Sequence, residues 1–214
     1  MLNWSKKFIK EWGIFITIIA LLLMSLIVIW SPIAVDGHSM DPTLADNQRL
    51  ILLKQGKINR FDIVVATEKT WSDTEKKTIE KKIIKRVIGM PGDTIEYRND
   101  TLYINGKKTD EPYLTDYKEQ FQKDRLQKTY ASLPESQAEI ARVSPSFTAT
   151  YDSTNGFYKS DFNVTVPKGE YFLMGDNRPI SKDSREVGCF KRSAIEGKVV
   201  FRIWPFDKIG GLSS

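Results

Sequence analysis

The chain has 214 residues, with 28% charged and 41% hydrophobic side chains, which suits one sizeable domain carrying an insertion and excludes a disordered chain. A single cysteine, Cys189, and a single histidine, His38, exclude an internal disulfide and leave too few ligands for a structural zinc site; no metal or cofactor is expected. The net charge of +5 comes from scattered lysines without a nucleic-acid-binding motif, so a solvated face near a membrane is favoured over a nucleic acid partner.

The elements begin with an apolar run. No charged residue lies between Glu11 and Asp36. A membrane-crossing helix needs roughly 20 apolar residues, so residues 12–34 read as a transmembrane anchor, bracketed by Trp12 and Trp30. Lys6, Lys7 and Lys10 precede it, and the first charges beyond it are Asp36 and Asp41. That asymmetry puts residues 1–11 in the cytoplasm and the rest of the chain outside. A cleaved signal peptide is the alternative, but the run exceeds the roughly 7–15 residues of such a segment, and Ser31-Pro-Ile-Ala34 is a poor cleavage site.

Beyond the anchor the pattern turns to short β-type runs. Arg49–Leu53, Phe61–Ala66 and Lys82–Ile88 read as strands, with Trp71–Lys82 as an exposed loop or ribbon. Thr94–Tyr97 and Thr101–Ile104 flank Asn99-Asp100, and their alternation of Ile95/Tyr97 with Leu102/Ile104 predicts a hairpin. Residues 113–163 are more polar and read as an inserted subdomain or long loop system, with a short helix over Asp116–Lys128. Strand character returns at Phe162–Val166, Glu170–Met174 and Gly197–Trp204. The expected fold is mainly β, with a catalytic domain over residues 35–112 and 164–214.

Three segments carry candidate chemistry: Gly37-His-Ser-Met-Asp-Pro-Thr-Leu44, Lys85-Arg-Val-Ile-Gly-Met-Pro-Gly-Asp93 and Gly175-Asp-Asn-Arg-Pro-Ile-Ser-Lys-Asp-Ser-Arg185. A serine hydroxyl is a weak nucleophile and needs a positioned base. His38 adjoins Ser39, and neighbouring side chains of an extended segment point to opposite faces, so a lysine or a carboxylate is left to serve it. A lysine acts as a base only when neutral, and desolvation favours that form. Lys85 is the candidate because Ile83, Ile84, Val87 and Ile88 surround it, whereas Lys76, Lys77, Lys81 and Lys82 lie among charges. Lys85 also fits the simpler role of a charge guarding an exposed strand edge.

Together the three segments resemble the sequence boxes of bacterial type I signal peptidases, membrane-bound serine/lysine proteases, and the single preceding anchor resembles the Gram-positive form. The resemblance spans the anchor and about residues 35–53, 61–66, 83–112 and 165–205, but not the middle region. It implies Ser39 as nucleophile, Lys85 as general base, and Ser181 as the hydroxyl that orients the lysine amine. Asp183 and Arg185 would form a supporting polar pair, joined by Arg86. In some relatives a serine two residues before the nucleophile donates to the oxyanion. That position is Gly37 here, which moves the oxyanion hole onto backbone N–H groups. By matching positions, Val35, Met40, Leu44, Ile83 and Ile84 would line shallow pockets for small residues at the first and third positions before the cut. The implied substrates are signal-peptide-bearing pre-proteins, bound as an extended strand by a monomeric enzyme at a lipid bilayer. A membrane-anchored cysteine transpeptidase using Cys189, His38 and an arginine is a second enzyme class, which activity insensitive to Cys189→Ala would exclude; a non-catalytic precursor chaperone is disfavoured by the presence of both Ser39 and Lys85.

Overall fold

The structure, a computed structural model, describes residues 2–72, 74–152 and 156–212. It opens with helix α1 (Leu2–Ile29), then β1 (Trp30–Ala34), β2 (Arg49–Leu53), β3 (Ile63–Ser72) and β4 (Lys77–Gly89). A small meander follows: β5 (Thr94–Arg98), β6 (Thr101–Ile104) and β7 (Lys107–Thr109). Helices α2 (Thr115–Asp124) and α3 (Glu135–Val143) lead to β8 (Thr150–Asp152), β9 (Phe157–Lys159), β10 (Phe162–Thr165) and β11 (Glu170–Met174). The chain closes with the turn helix α4 (Ser184–Val187), β12 (Phe190–Lys191), β13 (Ile195–Trp204) and β14 (Gly210–Gly211).

One antiparallel sheet runs in the order β1-β2-β13-β3-β4-β11-β12, with β14 beside β13. A second, four-stranded sheet runs β10-β5-β6-β7. The alternation that predicts these strands is the one that builds the core. Leu50 and Leu52 of β2 enter a cluster with Val35, Met40, Leu44, Ile63, Val65 and Val199. Ile95, Tyr97, Leu102 and Ile104 face a second cluster, and β5 pairs with β6 from Arg98↔Thr101 outward. The two-residue turn between them holds Asn99 and Asp100 at φ 48° and 58°, a geometry these short polar residues tolerate.

Two expectations are corrected, and for Trp71–Lys82 the ribbon is chosen over the loop. Residues 12–34 do not form one helix: α1 ends at Ile29, and Trp30–Ala34 pairs with Arg49–Leu53 as β1. Pro32 and the call of the β2 edge for backbone partners end the helix there. Among the described residues no helix is long and apolar enough to cross a membrane. The charged Trp71–Lys82 stretch is a β-ribbon, since β3 and β4 stay paired out to Ser72↔Lys77. Phe162 and Asn163 belong to β10, paired with Tyr97 and Glu96, rather than to the middle region.

That middle region is not a loop system. Leu114, Tyr117, Phe121, Leu126, Ala138, Ala141 and Phe147 bury one another in a separate cluster. It is tied back to the sheets at several points. The Asp100 carboxylate accepts the Phe147 and Thr148 N–H groups at 3.0 and 2.8 Å, and Ile180 of the third segment packs on the cluster.

Candidate active site

The first segment forms a pinched loop between β1 and β2. Val35 N–H donates to Gln48 O at 2.8 Å and Asn47 N–H to Val35 O at 3.0 Å, closing the neck. Within it Gly37 sits at φ +86°, a conformation that other residues adopt only with strain. Its N–H donates to Asp46 Oδ1 at 2.8 Å. His38 Nδ1 lies 3.0 Å from Asp41 Oδ2, so the histidine is held within its own loop. Ser39 is half-buried at the loop's inner side.

Lys85 Nζ donates to Ser39 Oγ at 2.7 Å across a sequence separation of 46 residues. The lysine is 4% exposed. Burial lowers its pKa from the ordinary 10.5 to about 8, against the opposing pull of Asp183. The physical cause is the one expected from sequence: Ile83 and Val87, two residues to either side, lie on the face that Lys85 shares, and both pack in the cluster around Leu173. With the amine neutral the contact reverses, and a hydroxyl at this distance is placed to pass its proton to nitrogen.

The third segment grips the first. Asn177 N–H donates to Ser39 O at 3.1 Å, and Asn177 Nδ2 to His38 O at 3.0 Å. Gly175 lies where a Cβ would overlap both the Ser39 carbonyl and Ser181 Oγ, so only glycine lets these segments meet. Asp183 and Arg185 form the expected pair, Nε to Oδ1 at 2.8 Å and Nη2 to Oδ2 at 2.9 Å. Burial alone would raise the Asp183 pKa, but the Arg185 guanidinium outweighs it and holds the carboxyl below its usual value.

Two implied contacts differ. Arg86 joins Asp176 rather than the Asp183–Arg185 pair, with Nε to Oδ1 at 2.9 Å and Nη2 to Oδ2 at 2.6 Å. Successive residues on β4 face opposite ways, so Arg86 turns from Lys85 toward Thr43 and the Tyr113 ring. Ser181 Oγ is buried without a hydrogen-bond partner, and the contact with the Lys85 amine is not formed.

A groove of about 640 Å³ opens at the Ser39–Lys85 pair. Val35, Met40, Ile83 and Ile84 line it as expected, but Leu44 does not. Leu44 is fully buried against Leu50 and Leu52, a core position. The lining also includes Gln137 and Ile140 of α3 and Ile180, which the sequence reading did not single out.

Also unforeseen is a third buried ion pair. Arg178 Nη2 meets Glu111 Oε1 at 2.5 Å, and Arg178 Nη1 donates to the Tyr97 hydroxyl at 2.5 Å. Burial would raise the Glu111 pKa, yet Arg178 and Lys118 hold it at about 2. Glu111 and Arg178 are 67 residues apart, so no local pattern links them. Asp176 and Arg178 do lie within the third segment, so their charge is the local signal that marks them. No group of His, Cys, Asp and Glu fit to hold a metal ion occurs among the described residues.

The sequence model of the family "Signal peptidase, peptidase S26" matches residues 8–204. A signal peptidase I of Streptococcus pneumoniae serotype 4 is 48% identical over 215 residues, covering 98% of this chain and 99% of that protein. A signal peptidase IB of Staphylococcus aureus is 37% identical over 209 residues, covering 95% and 93%. A crystal structure of a signal peptidase I from Enterococcus faecalis is 33% identical and covers 67% of this chain and 97% of that one, with a TM-score of 0.42. The chain belongs to the peptidase S26 family of signal peptidases, as a bacterial type I signal peptidase. It is a hydrolase that cleaves signal peptides from pre-proteins.

Proposed function

We propose that cleavage proceeds by attack of Ser39 Oγ on the scissile carbonyl, with Lys85 Nζ as general base. The observation that carries this reading is the 2.7 Å contact between the two groups at the head of the groove. The lysine pKa of about 8 supports it, because a useful fraction of the amine is then neutral near physiological pH. Nζ takes the hydroxyl proton as the C–O bond forms and returns it to the leaving amine, and water then releases the acyl group by the same route. The Ser39 backbone N–H is the proposed oxyanion donor; the Gly37 N–H is already committed to Asp46. Asp183, Arg185 and Arg86 act at a distance: Arg86 ties the third segment to β4 through Asp176, and Asp183 and Arg185 hold the third segment's own turn.

The substrate is proposed to lie as a strand along β4. β11 pairs with β4 only at Arg86–Gly89, which leaves the Lys81–Lys85 edge free for another strand. Val35, Met40, Ile83 and Ile84 then form shallow walls that favour small side chains at the first and third positions before the cut.

The enzyme is proposed to work as a monomer at a cell membrane, with α1 as its attachment, the N-terminus cytoplasmic and the catalytic part outside. Support comes from apolar side chains of α1 that are exposed, Ile14 at 76% and Leu21 and Met24 at 62% each, and from Lys6, Lys7 and Lys10 on the N-terminal side. Protease added outside intact spheroplasts should degrade the catalytic part and spare the first residues; the reverse pattern would reject this orientation.

The mechanism is tested by giving purified enzyme a pre-protein and following the new N-terminus by mass spectrometry. Ser39→Ala and Lys85→Ala should each abolish cleavage; full activity in either rejects the pairing.

A further inference from the structure

Part of the groove's lining belongs to the inserted region, through α3. On this helix Ala138 and Ala141 turn into the cluster around Phe147. Gln137 and Ile140, each one residue earlier and themselves three apart, share the adjoining face and line the same groove as Ile83 and Ile84. The Gln137 Oε1 atom is buried and has no hydrogen-bond partner. A buried amide oxygen is ordinarily satisfied, and leaving it unmade is unfavourable. Gln137 lines the groove, and rotation about its broad terminal amide torsion turns this oxygen toward the backbone N–H groups that an extended substrate carries along its outer edge.

The position of α3 is built rather than incidental. Arg185 of the third segment donates through Nη1 to Thr148 O at 2.9 Å and through Nη2 to Ser181 O at 3.1 Å, so one guanidinium joins the inserted region to the site. Asp100, at the turn of the small sheet, accepts the Phe147 and Thr148 N–H groups. Ile180 packs on the inserted cluster while also lining the groove.

We infer that the inserted region is part of the substrate site: Gln137 accepts a hydrogen bond from the backbone of the bound signal-peptide segment, and Ile140 covers its apolar side chains. The inference rests on the proposed strand-like binding along β4. On it, the free edge of β4 meets one side of the peptide and α3 the other.

The test uses full-length enzyme and a signal-peptide substrate that fills the groove. Gln137→Leu keeps the side chain's size and removes its acceptor. It should raise KM about tenfold, the loss of one neutral hydrogen bond, and change kcat less than twofold, with thermal stability unchanged or raised. Gln137→Glu, which retains an acceptor, should recover most of the loss. Binding of the uncleaved peptide to Ser39→Ala enzyme, with and without Gln137→Leu, separates this inference from the mechanism. Unchanged peptide affinity, or a KM rise matched by a loss of stability, would overturn the role of Gln137. Cleavage by the Ser39→Ala enzyme would instead overturn the catalytic assignment and leave the Gln137 measurement standing.

Discussion

Lys85 and Arg86 are neighbours on β4, both cationic and both buried, and the protein treats them in opposite ways. Arg86 meets the Asp176 carboxylate with two hydrogen bonds, donates to Phe61 O at 2.9 Å and lies over the Tyr113 ring. Burial would lower its pKa, but Asp176 more than compensates and keeps it firmly charged. Lys85 has a hydroxyl for its contact and apolar residues on either side along its face, and its pKa falls to about 8. One strand thus carries a structural cation on one face and a titratable amine on the other. The difference lies in the presence of a carboxylate in contact, not in depth of burial, since the two are 1% and 4% exposed.

The largest effect expected from breaking this contrast is on activity. Ser39→Ala and Lys85→Ala should each lower kcat for signal-peptide cleavage by at least about 10³-fold, with the double variant no worse than either single one, because the two act as a unit. Single-turnover kinetics on one pre-protein checks this. On the other face, Arg86→Ala should destabilise the fold by about 3–5 kcal/mol, because Asp176 is left buried and unpaired. Urea unfolding measures the loss, and Asp176→Asn in the same background should recover part of it.

Lys85→Met should do the reverse to stability. The folded-state pKa of about 8 lies below the ordinary 10.5, so the unfolded chain holds this proton more tightly. Below about 8 the full penalty is present; stability then rises with pH between about 8 and about 10.5 as the folded protein sheds the proton first. Removing the amine should therefore add on the order of 3 kcal/mol at neutral pH and flatten that rise. Urea midpoints at neutral and alkaline pH check the sign; a destabilised Lys85→Met enzyme would contradict it.

On the proposed mechanism the same titration sets activity. Below about pH 8, kcat/KM should fall about tenfold per pH unit and level off above it. A maximum on the acid side would break the assignment of Lys85 as base. The smallest effect belongs to Gly37. Its φ of +86° strains any other residue, yet open space lies where a Cβ would point. Gly37→Ala should cost about 1–2 kcal/mol of stability and less than tenfold in activity, measured on the same substrate.

The sequence carried some parts of this molecule plainly. Period-two alternation placed β2, β5 and β6 close to where they lie, because a half-buried strand writes its inward face into every second residue. Ile83 and Val87 likewise marked Lys85 as desolvated, since residues two apart on a strand share a face. Other parts were not legible. The end of α1 at Ile29 depends on pairing between β1 and β2, and an apolar run reads the same in a helix and in a buried strand. Leu44 looks like a pocket residue and is core, because its loop folds back under Leu50.

By itself, then, the sequence determined the kind of strands and the three segments, and its family resemblance offered Ser39 and Lys85 as the candidate pair. Those are local properties: residue type, spacing and the face a side chain shares with its neighbours. Only the tertiary structure decided the partners. It set Asp176 rather than Asp183 against Arg86, joined Glu111 to Arg178, let Gly175 close on Ser39, and brought α3 to the groove. A buried charge or amide is satisfied by whichever group the fold brings within about 3 Å, and spacing along the chain does not encode that distance.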